Sequence, residues 1–286
     1  MTVATLLSGF EEHVEAIRGA RLRALLGGPA DGQPLVLLHG LGGTTSNWAL
    51  LAPRLALRRR VVLVDLPGHG RSDPLPAAPG IGAYADRVGI LADRLGLVPA
   101  DVVGHSLGGL VALRLASRRP EVVRSLVLAA PAGIGSGTRS AERALAFVGW
   151  VQPGRRISPY WRIVARSDVL KRIVLGYWFA ADPAQLSTIA VEALLRDLNL
   201  HTDTDSAWRA LAADDPRDDL HRVRCPSLVL WGAEDRQLPV DDAFEYARRL
   251  RAPLRVIADC GHLPVLERPD ACLDAIARFL DGQESR

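Results

Sequence analysis

The segment Gly104-His-Ser-Leu-Gly-Gly109 carries the strongest chemical signal in the sequence. A neutral serine hydroxyl is a poor nucleophile, so chemistry at Ser106 needs both exposure and a base. Exposure is a backbone matter. The apolar run Asp101–Val103 reads as a strand and a helical pattern begins at Leu107, so Ser106 falls on a sharp strand-to-helix turn that would push its hydroxyl outward. Glycines two before and two after the serine remove side chains that would clash there. The following helix would aim free N–H groups and its positive end at a developing negative charge. A glycine-rich turn with an idle serine is the competing reading, and the strand and helix on the correct sides weigh against it.

A second glycine-rich segment, His39-Gly-Leu-Gly-Gly43, follows the apolar run 34–38. An oxyanion hole needs two N–H donors about 3 Å from the charge, and the amides of Leu41 and Leu107 are the natural pair. A nucleotide-binding loop is the rival reading, but the segment matches neither G-x-G-x-x-G nor a phosphate loop ending in Gly-Lys-Ser/Thr.

Seven histidines compete for the role of base: His13, His39, His69, His105, His201, His221 and His262. His262, in Asp259-Cys-Gly-His262, lies just after the apolar run 254–257, and loops at the carboxyl ends of strands are where open α/β sheets place functional groups. The other six are read as structural. Asp235, in Trp231-Gly-Ala-Glu-Asp235 after the run 227–231, is the candidate acid that holds the histidine tautomer. Glu234 is its close rival, with Asp241 and Asp259 behind. The chain order Ser, Asp, His is the one expected of a sheet of this type.

Short runs rich in Leu and Val at 34–39, 61–65, 101–104, 126–129, 227–231 and 254–257 suit strands buried on both faces of a parallel sheet. Helical periodicity at 82–96, 107–118, 240–250 and 268–280 lies between them, which argues for a doubly wound α/β sheet. Residues 12–18 and 21–26 alternate and read as an antiparallel hairpin at its edge. The alternation stops between Gly133 and Asp219, predicting a helical insertion at 133–219 between core segments 1–132 and 220–286. More than half of the aromatic side chains fall in this insertion. A helix is expected from Asp182-Pro183, an acidic cap followed by Pro at the first helical position, with Leu186, Ile189, Ala190, Ala193, Leu194 and Leu198 on one face.

The bulk numbers narrow the class. The chain has 286 residues, 48% hydrophobic and 23% charged, as expected of one large folded unit with an insertion. A net charge of +3 without a basic tract gives nucleic acid no positive feature. Cys225, Cys260 and Cys272 form no Cys-x-x-Cys pair and suit a reducing compartment. The first residues lack a signal-peptide pattern, and no apolar window reaches membrane-span length, so a cytoplasmic location is expected. No metal-ligand spacing occurs, and neither metal nor cofactor is expected.

In this order, His39-Gly-Leu-Gly-Gly43, Asp65-Leu-Pro-Gly-His-Gly-Arg-Ser72, Gly104-His-Ser-Leu-Gly-Gly109, Trp231-Gly-Ala-Glu-Asp235 and Gly261-His262 resemble the α/β-hydrolase superfamily over roughly residues 12–281. The resemblance implies an eight-stranded, mostly parallel sheet with a helical cap inserted after the sixth strand. It implies Ser106 as nucleophile, His262 as base, Asp235 as acid and the Leu41 and Leu107 amides as oxyanion hole. Serine in place of aspartate argues against haloalkane dehalogenases and epoxide hydrolases of this fold, which need a carboxylate nucleophile.

Carboxylesterases, lactonases, carbon–carbon-bond hydrolases acting on ring-cleavage products and cofactor-free perhydrolases all keep the serine. Asn47 and Trp48 resemble positions that touch substrate in several of these, and Trp150, Trp161 and Trp178 are candidate pocket residues from the cap. The reading is a serine hydrolase acting on esters of small to medium apolar substrates. Hydrolysis of a vinylogous diketone acid is the alternative. It would need a cation for the carboxylate, for which Arg155, Arg156, Arg162 and Arg166 are candidates. A ligand receptor on a retained hydrolase fold is the reading from another class. Oligomeric state is left open.

Overall fold

The structure is a computed structural model that describes residues 1–76, 80–135 and 156–284. Eight strands form one sheet: β1 (Glu11–Ile17), β2 (Ala20–Gly27), β3 (Gln33–Leu38), β4 (Arg59–Val64), β5 (Ala100–His105), β6 (Val123–Ala129), β7 (Ser227–Gly232) and β8 (Leu254–Ile257). Their spatial order is β1-β2-β4-β3-β5-β6-β7-β8. The β1/β2 and β2/β4 pairings are antiparallel, and every other pairing is parallel. The edge hairpin and the mostly parallel, doubly wound sheet are those read from the alternation of short apolar runs and helical patterns.

Helices α1 (Val3–Leu6), α2 (Ala52–Leu55), α3 (Ile81–Arg94) and α4 (Leu107–Arg118) precede or flank the first six strands. Between β6 and β7 the described residues form α5 (Trp161–Ala165), α6 (Asp168–Phe179), α7 (Thr188–Leu195) and α8 (Thr204–Ala212), with short 3-10 turns and no strand. Helices α9 (Val240–Leu250), α10 (Pro264–Glu267) and α11 (Pro269–Glu284) complete the chain. The apolar faces of α3, α4 and α9 close one side of the sheet. On the other side α2, α10 and α11 share an apolar cluster with α5 and α7. Burial on both faces explains why the central strands read as continuous apolar runs.

Strand β6 starts three residues before its apolar run because Arg124 and Ser125 are satisfied inside the fold. Both bond the carboxylate of fully buried Asp101 on β5, Arg124 Nη2 at 2.6 Å and Ser125 Oγ at 2.5 Å. Arg59 of β4 reaches the same carboxylate at 3.0 Å and also contacts Asp281 and Glu284 of α11.

The helix expected from Asp182-Pro183 is instead two elements. Asp182 does accept from the Ala184 N–H, but only one 3-10 turn, Pro183–Gln185, follows. Leu186 is extended, and the Ser187 hydroxyl caps α7 by accepting from the Ala190 N–H. A second capping residue competes with the first and wins one turn later. Among the described residues, no helix is long and apolar enough to cross a membrane.

Candidate active site

Ser106 occupies the turn between β5 and α4 with φ +51°, a conformation rare outside glycine. Such a conformation costs roughly 1–3 kcal/mol and persists only when its surroundings impose it. Here they do. The Ser106 N–H donates to the Ala129 carbonyl at 3.0 Å, and its carbonyl accepts from the amides of Leu110 and Ala132, each at 3.1 Å. The flanking glycines are required by contact. A Cβ at Gly104 would lie 2.3 Å from the Gly108 carbonyl oxygen, and one at Gly108 would lie 2.3 Å from that of Leu38.

His262 and Asp235 converge on this serine. The Nε2 of His262 lies 3.0 Å from Ser106 Oγ, and its Nδ1 lies 2.8 Å from Asp235 Oδ2. The second carboxylate oxygen of Asp235 accepts from the amides of Gln237 (2.8 Å) and Leu238 (3.0 Å), which fixes the carboxylate plane. Glu234, the rival by sequence, is exposed. Three residues far apart along the chain thus form one hydrogen-bonded line, two at the carboxyl ends of β5 and β7 and the third in the loop after β8.

The loop 39–43 packs directly on the elbow. A Cβ at Gly40 would come within 3.1 Å of Ser106 Cβ and 2.9 Å of His105 Nδ1, so only glycine lets the loop approach this closely. Neither the Leu41 nor the Leu107 N–H donates to another described residue. The loop is anchored from several directions. His39 donates from Nδ1 to the Gly40 carbonyl and accepts the Leu66 N–H on Nε2. Asp65 accepts the Thr45 N–H at 2.7 Å and also bonds Arg23 and the Arg71 N–H.

Other histidines serve as struts, with burial setting their charge. His105 donates from Nε2 to the His262 carbonyl at 2.7 Å. Burial pushes His39 and His105 down to about 3 and holds His69 well below the usual histidine range, so all three are neutral at neutral pH. His201, in the helical stretch, accepts the Gly70 N–H on Nδ1 and donates from Nε2 to the Gly42 carbonyl at 2.9 Å. That bridge from insertion to glycine-rich loop has no sequence signal, because its partners are backbone groups.

The expected substrate contacts are dispersed. The Asn47 amide is occupied at both ends, its Oδ1 accepting the Thr44 N–H and its Nδ2 donating to the Ala193 carbonyl. Trp48 is fully buried in the apolar cluster that also holds Trp161. Trp161 carries the Arg162 guanidinium 4.9 Å above its ring, and Trp178 is about one-third exposed. Arg156, Arg162 and Arg166 are exposed. Trp150 and Arg155 lie outside the described residues. Among the described residues, no group of three or more His, Cys, Asp or Glu is placed to hold a metal ion.

One residue missed in the sequence stands beside His262. Glu267 of α10 accepts the N–H groups of Gly261 (2.9 Å) and Leu263 (2.9 Å), on either side of His262, and that of Ala181 (2.8 Å). Burial pushes its carboxyl above the usual range, opposed by these three N–H bonds. A glutamate five residues past a histidine matches neither the three- nor the four-residue spacing of a helical pair, and its partners are backbone N–H groups, so nothing marked it.

The chain belongs to the α/β-hydrolase family and is a hydrolase of that family. The family model for the alpha/beta hydrolase fold matches residues 33–269. Among curated relatives, it is 36% identical over 265 residues to the pimeloyl-(acyl-carrier protein) methyl ester esterase of Aromatoleum aromaticum, covering 87% of this chain and 98% of that protein. It is 31% identical over 271 residues to the dihydrolipoyllysine-residue acetyltransferase component of the acetoin cleaving system of Pseudomonas putida, covering 92% of this chain and 68% of the relative. Among solved structures, a bacterial membrane phospholipase A superposes with a TM-score of 0.76 at 26% identity, covering 99% of this chain and 92% of the other.

Proposed function

We propose that the chain hydrolyses carboxylic esters of small to medium apolar substrates through an acyl-enzyme, with Ser106 as nucleophile, His262 as base and Asp235 as its orienting acid. The single observation that carries this reading is the Ser106–His262–Asp235 line, with links of 3.0 and 2.8 Å. In the first step His262 Nε2 takes the hydroxyl proton as Ser106 Oγ bonds to the ester carbonyl carbon. Asp235 keeps the other proton on Nδ1 and stabilises the imidazolium. The oxyanion rests on the N–H groups of Leu41 and Leu107. Collapse of the tetrahedral species returns the His262 proton to the departing alcohol, and water deprotonated by His262 then releases the acid.

The core in this reading is 1–132 and 220–286, with 133–219 as a cap over the site. The aromatic and Leu content of the helical stretch supports an apolar substrate, and the methyl ester named for the Aromatoleum relative supports the ester class. No metal or cofactor has a part in it. The exposure of Arg156, Arg162 and Arg166 gives the ring-cleavage alternative no buried cation among them.

Turnover of a p-nitrophenyl ester by Ser106→Ala should fall by several orders of magnitude, as when a triad nucleophile is removed. Near-normal turnover would overturn the assignment. In the same assay Asp235→Asn should be severely impaired and Glu234→Gln unaffected. Failure of folded wild-type protein to react with a fluorophosphonate at Ser106 would favour a receptor over an enzyme.

A further inference from the structure

The loop carrying His262 has its backbone tied off on every side, and one carboxylate makes the two ties that flank the histidine. The Gly261 and Leu263 N–H groups both donate to Glu267, at 2.9 Å each, on Oε2 and Oε1 respectively. Between them, the His262 N–H donates to the Phe179 carbonyl at the end of α6 (3.2 Å), and the His262 carbonyl accepts from His105. The Ala181 N–H, two residues past α6, donates to the same Glu267 Oε2 at 2.8 Å. The contact leaves no slack, since a Cβ at Gly261 would lie 2.7 Å from the Ala181 nitrogen.

We propose that Glu267 is the positioning residue of the base: a single carboxylate that gathers the amides flanking His262 and that of Ala181 just past α6, holding the imidazole on Ser106 while keeping the end of α6 seated against it. The proposal rests on the reading of His262 as base. Its physical content is a count of acceptors. Three N–H donors point at two carboxylate oxygens, each of which can accept more than one bond. An amide in the same place offers one oxygen, and its NH2 faces an N–H, so at least one donor of the loop loses its partner. Shape is not the issue, because Glu267 borders a cavity of about 320 Å³ with Ala181, Asp182 and Arg268 that leaves room for the isosteric change.

Glu267→Gln and Glu267→Asp are compared with wild type on a p-nitrophenyl ester. Val265→Ala, a truncation of a buried neighbour on the same helix, serves as the control for lost stability alone. Displacement of a reacting group by a fraction of an ångström predicts a fall in kcat of about tenfold to a hundredfold for Glu267→Gln, with KM held within about twofold. Glu267→Asp keeps the two oxygens but loses reach and should lie between. It carries the same readouts if the Gln variant does not fold. Val265→Ala should lower the Tm and leave kcat near wild type.

The second readout needs no turnover: the low-field proton NMR resonance of the His262 Nδ1–H bonded to Asp235 should shift or broaden in the Glu267 variants and stay in place in Val265→Ala. Unchanged kcat together with an unchanged resonance in Glu267→Gln overturns the proposal, as does an equal effect in Val265→Ala. A wild-type protein that neither hydrolyses esters nor labels at Ser106 would defeat the functional reading instead, and the resonance would still decide the role of Glu267.

Discussion

The chemistry turns on charge states that burial sets. His39 and His105 are held at about 3, against an ordinary 6.5, chiefly because burial disfavours the imidazolium. In the unfolded chain they take up protons near 6.5, whereas in the folded chain they do not until about 3. Their contribution to stability is therefore present above 6.5 and is lost as the pH falls towards 3, at about 1.4 kcal/mol per pH unit for each histidine. Between pH 6.5 and 5 few carboxylates titrate, so this window isolates the histidines. Urea unfolding across it should show stability falling with pH, and a flat profile would mean that these side chains have an acceptor for a second proton. Their hydrogen bonds oppose the shift, since each donates to a backbone carbonyl, His39 to Gly40 and His105 to His262, but burial outweighs them.

At the scale of elements, the site depends on β3, β5 and α4 approaching one another at glycine contact distance. Gly108 lies in the first turn of α4, where a Cβ would meet the carbonyl oxygens of Leu38 (2.3 Å) and His39 (2.5 Å). Those are backbone atoms and cannot swing aside. Gly108→Ala should push α4 away from the glycine-rich loop and separate the Leu107 N–H from that of Leu41. A misplacement of about 1 Å costs on the order of a hundredfold in rate, so kcat should fall steeply even where circular dichroism shows the fold retained. An alanine variant with wild-type kcat would show that the turn has more freedom than these contacts allow. The insertion is held by the same economy of means: α7 meets Asn47 through the Ala193 carbonyl, and His201 reaches the Gly42 carbonyl and the Gly70 N–H. Such contacts join the helical stretch to the glycine-rich loop and add to the apolar packing of α5 and α7.

For the molecule as a whole, the end of the sheet opposite the site is fastened by charge. Asp101 is fully buried, and its carboxylate collects Arg59, Arg124 and Ser125, while Arg59 extends the network to Asp281 and Glu284 at the chain's end. Removing one partner of a buried pair leaves the other charge uncompensated, at a cost of about 3–5 kcal/mol. In Asp101→Ala, Arg59 keeps Asp281 and Glu284 while Arg124 and Ser125 lose their shared partner, so denaturant unfolding should show a loss towards the lower end of that range. Replacing the exposed Asp270, which pairs with Arg54 on the surface, should cost little. Equal effects from the two would show that burial is not what makes the first network matter.

Much of this was legible before any coordinates. The run 227–231 became β7 nearly to the residue, because a strand buried on both faces must be apolar at every position, and the run 254–257 became β8, an edge strand that leaves Arg255 and Val256 exposed. Gly104 and Gly108 were legible because only glycine tolerates a backbone oxygen 2.3 Å from where a Cβ would sit. Asp182-Pro183 misled because a local start signal does not report how far a helix runs, and Ser187 supplied a better cap. Glu267 and His201 left no trace in the sequence, since each acts on backbone groups that every residue carries. Local pattern thus specified most of the strands and where the Ser106 turn falls. Long-range folding chose Asp235 over its neighbour Glu234 and brought α6 and α10 against the loop of His262, because direction and distance across a sheet depend on packing that no short window of sequence contains.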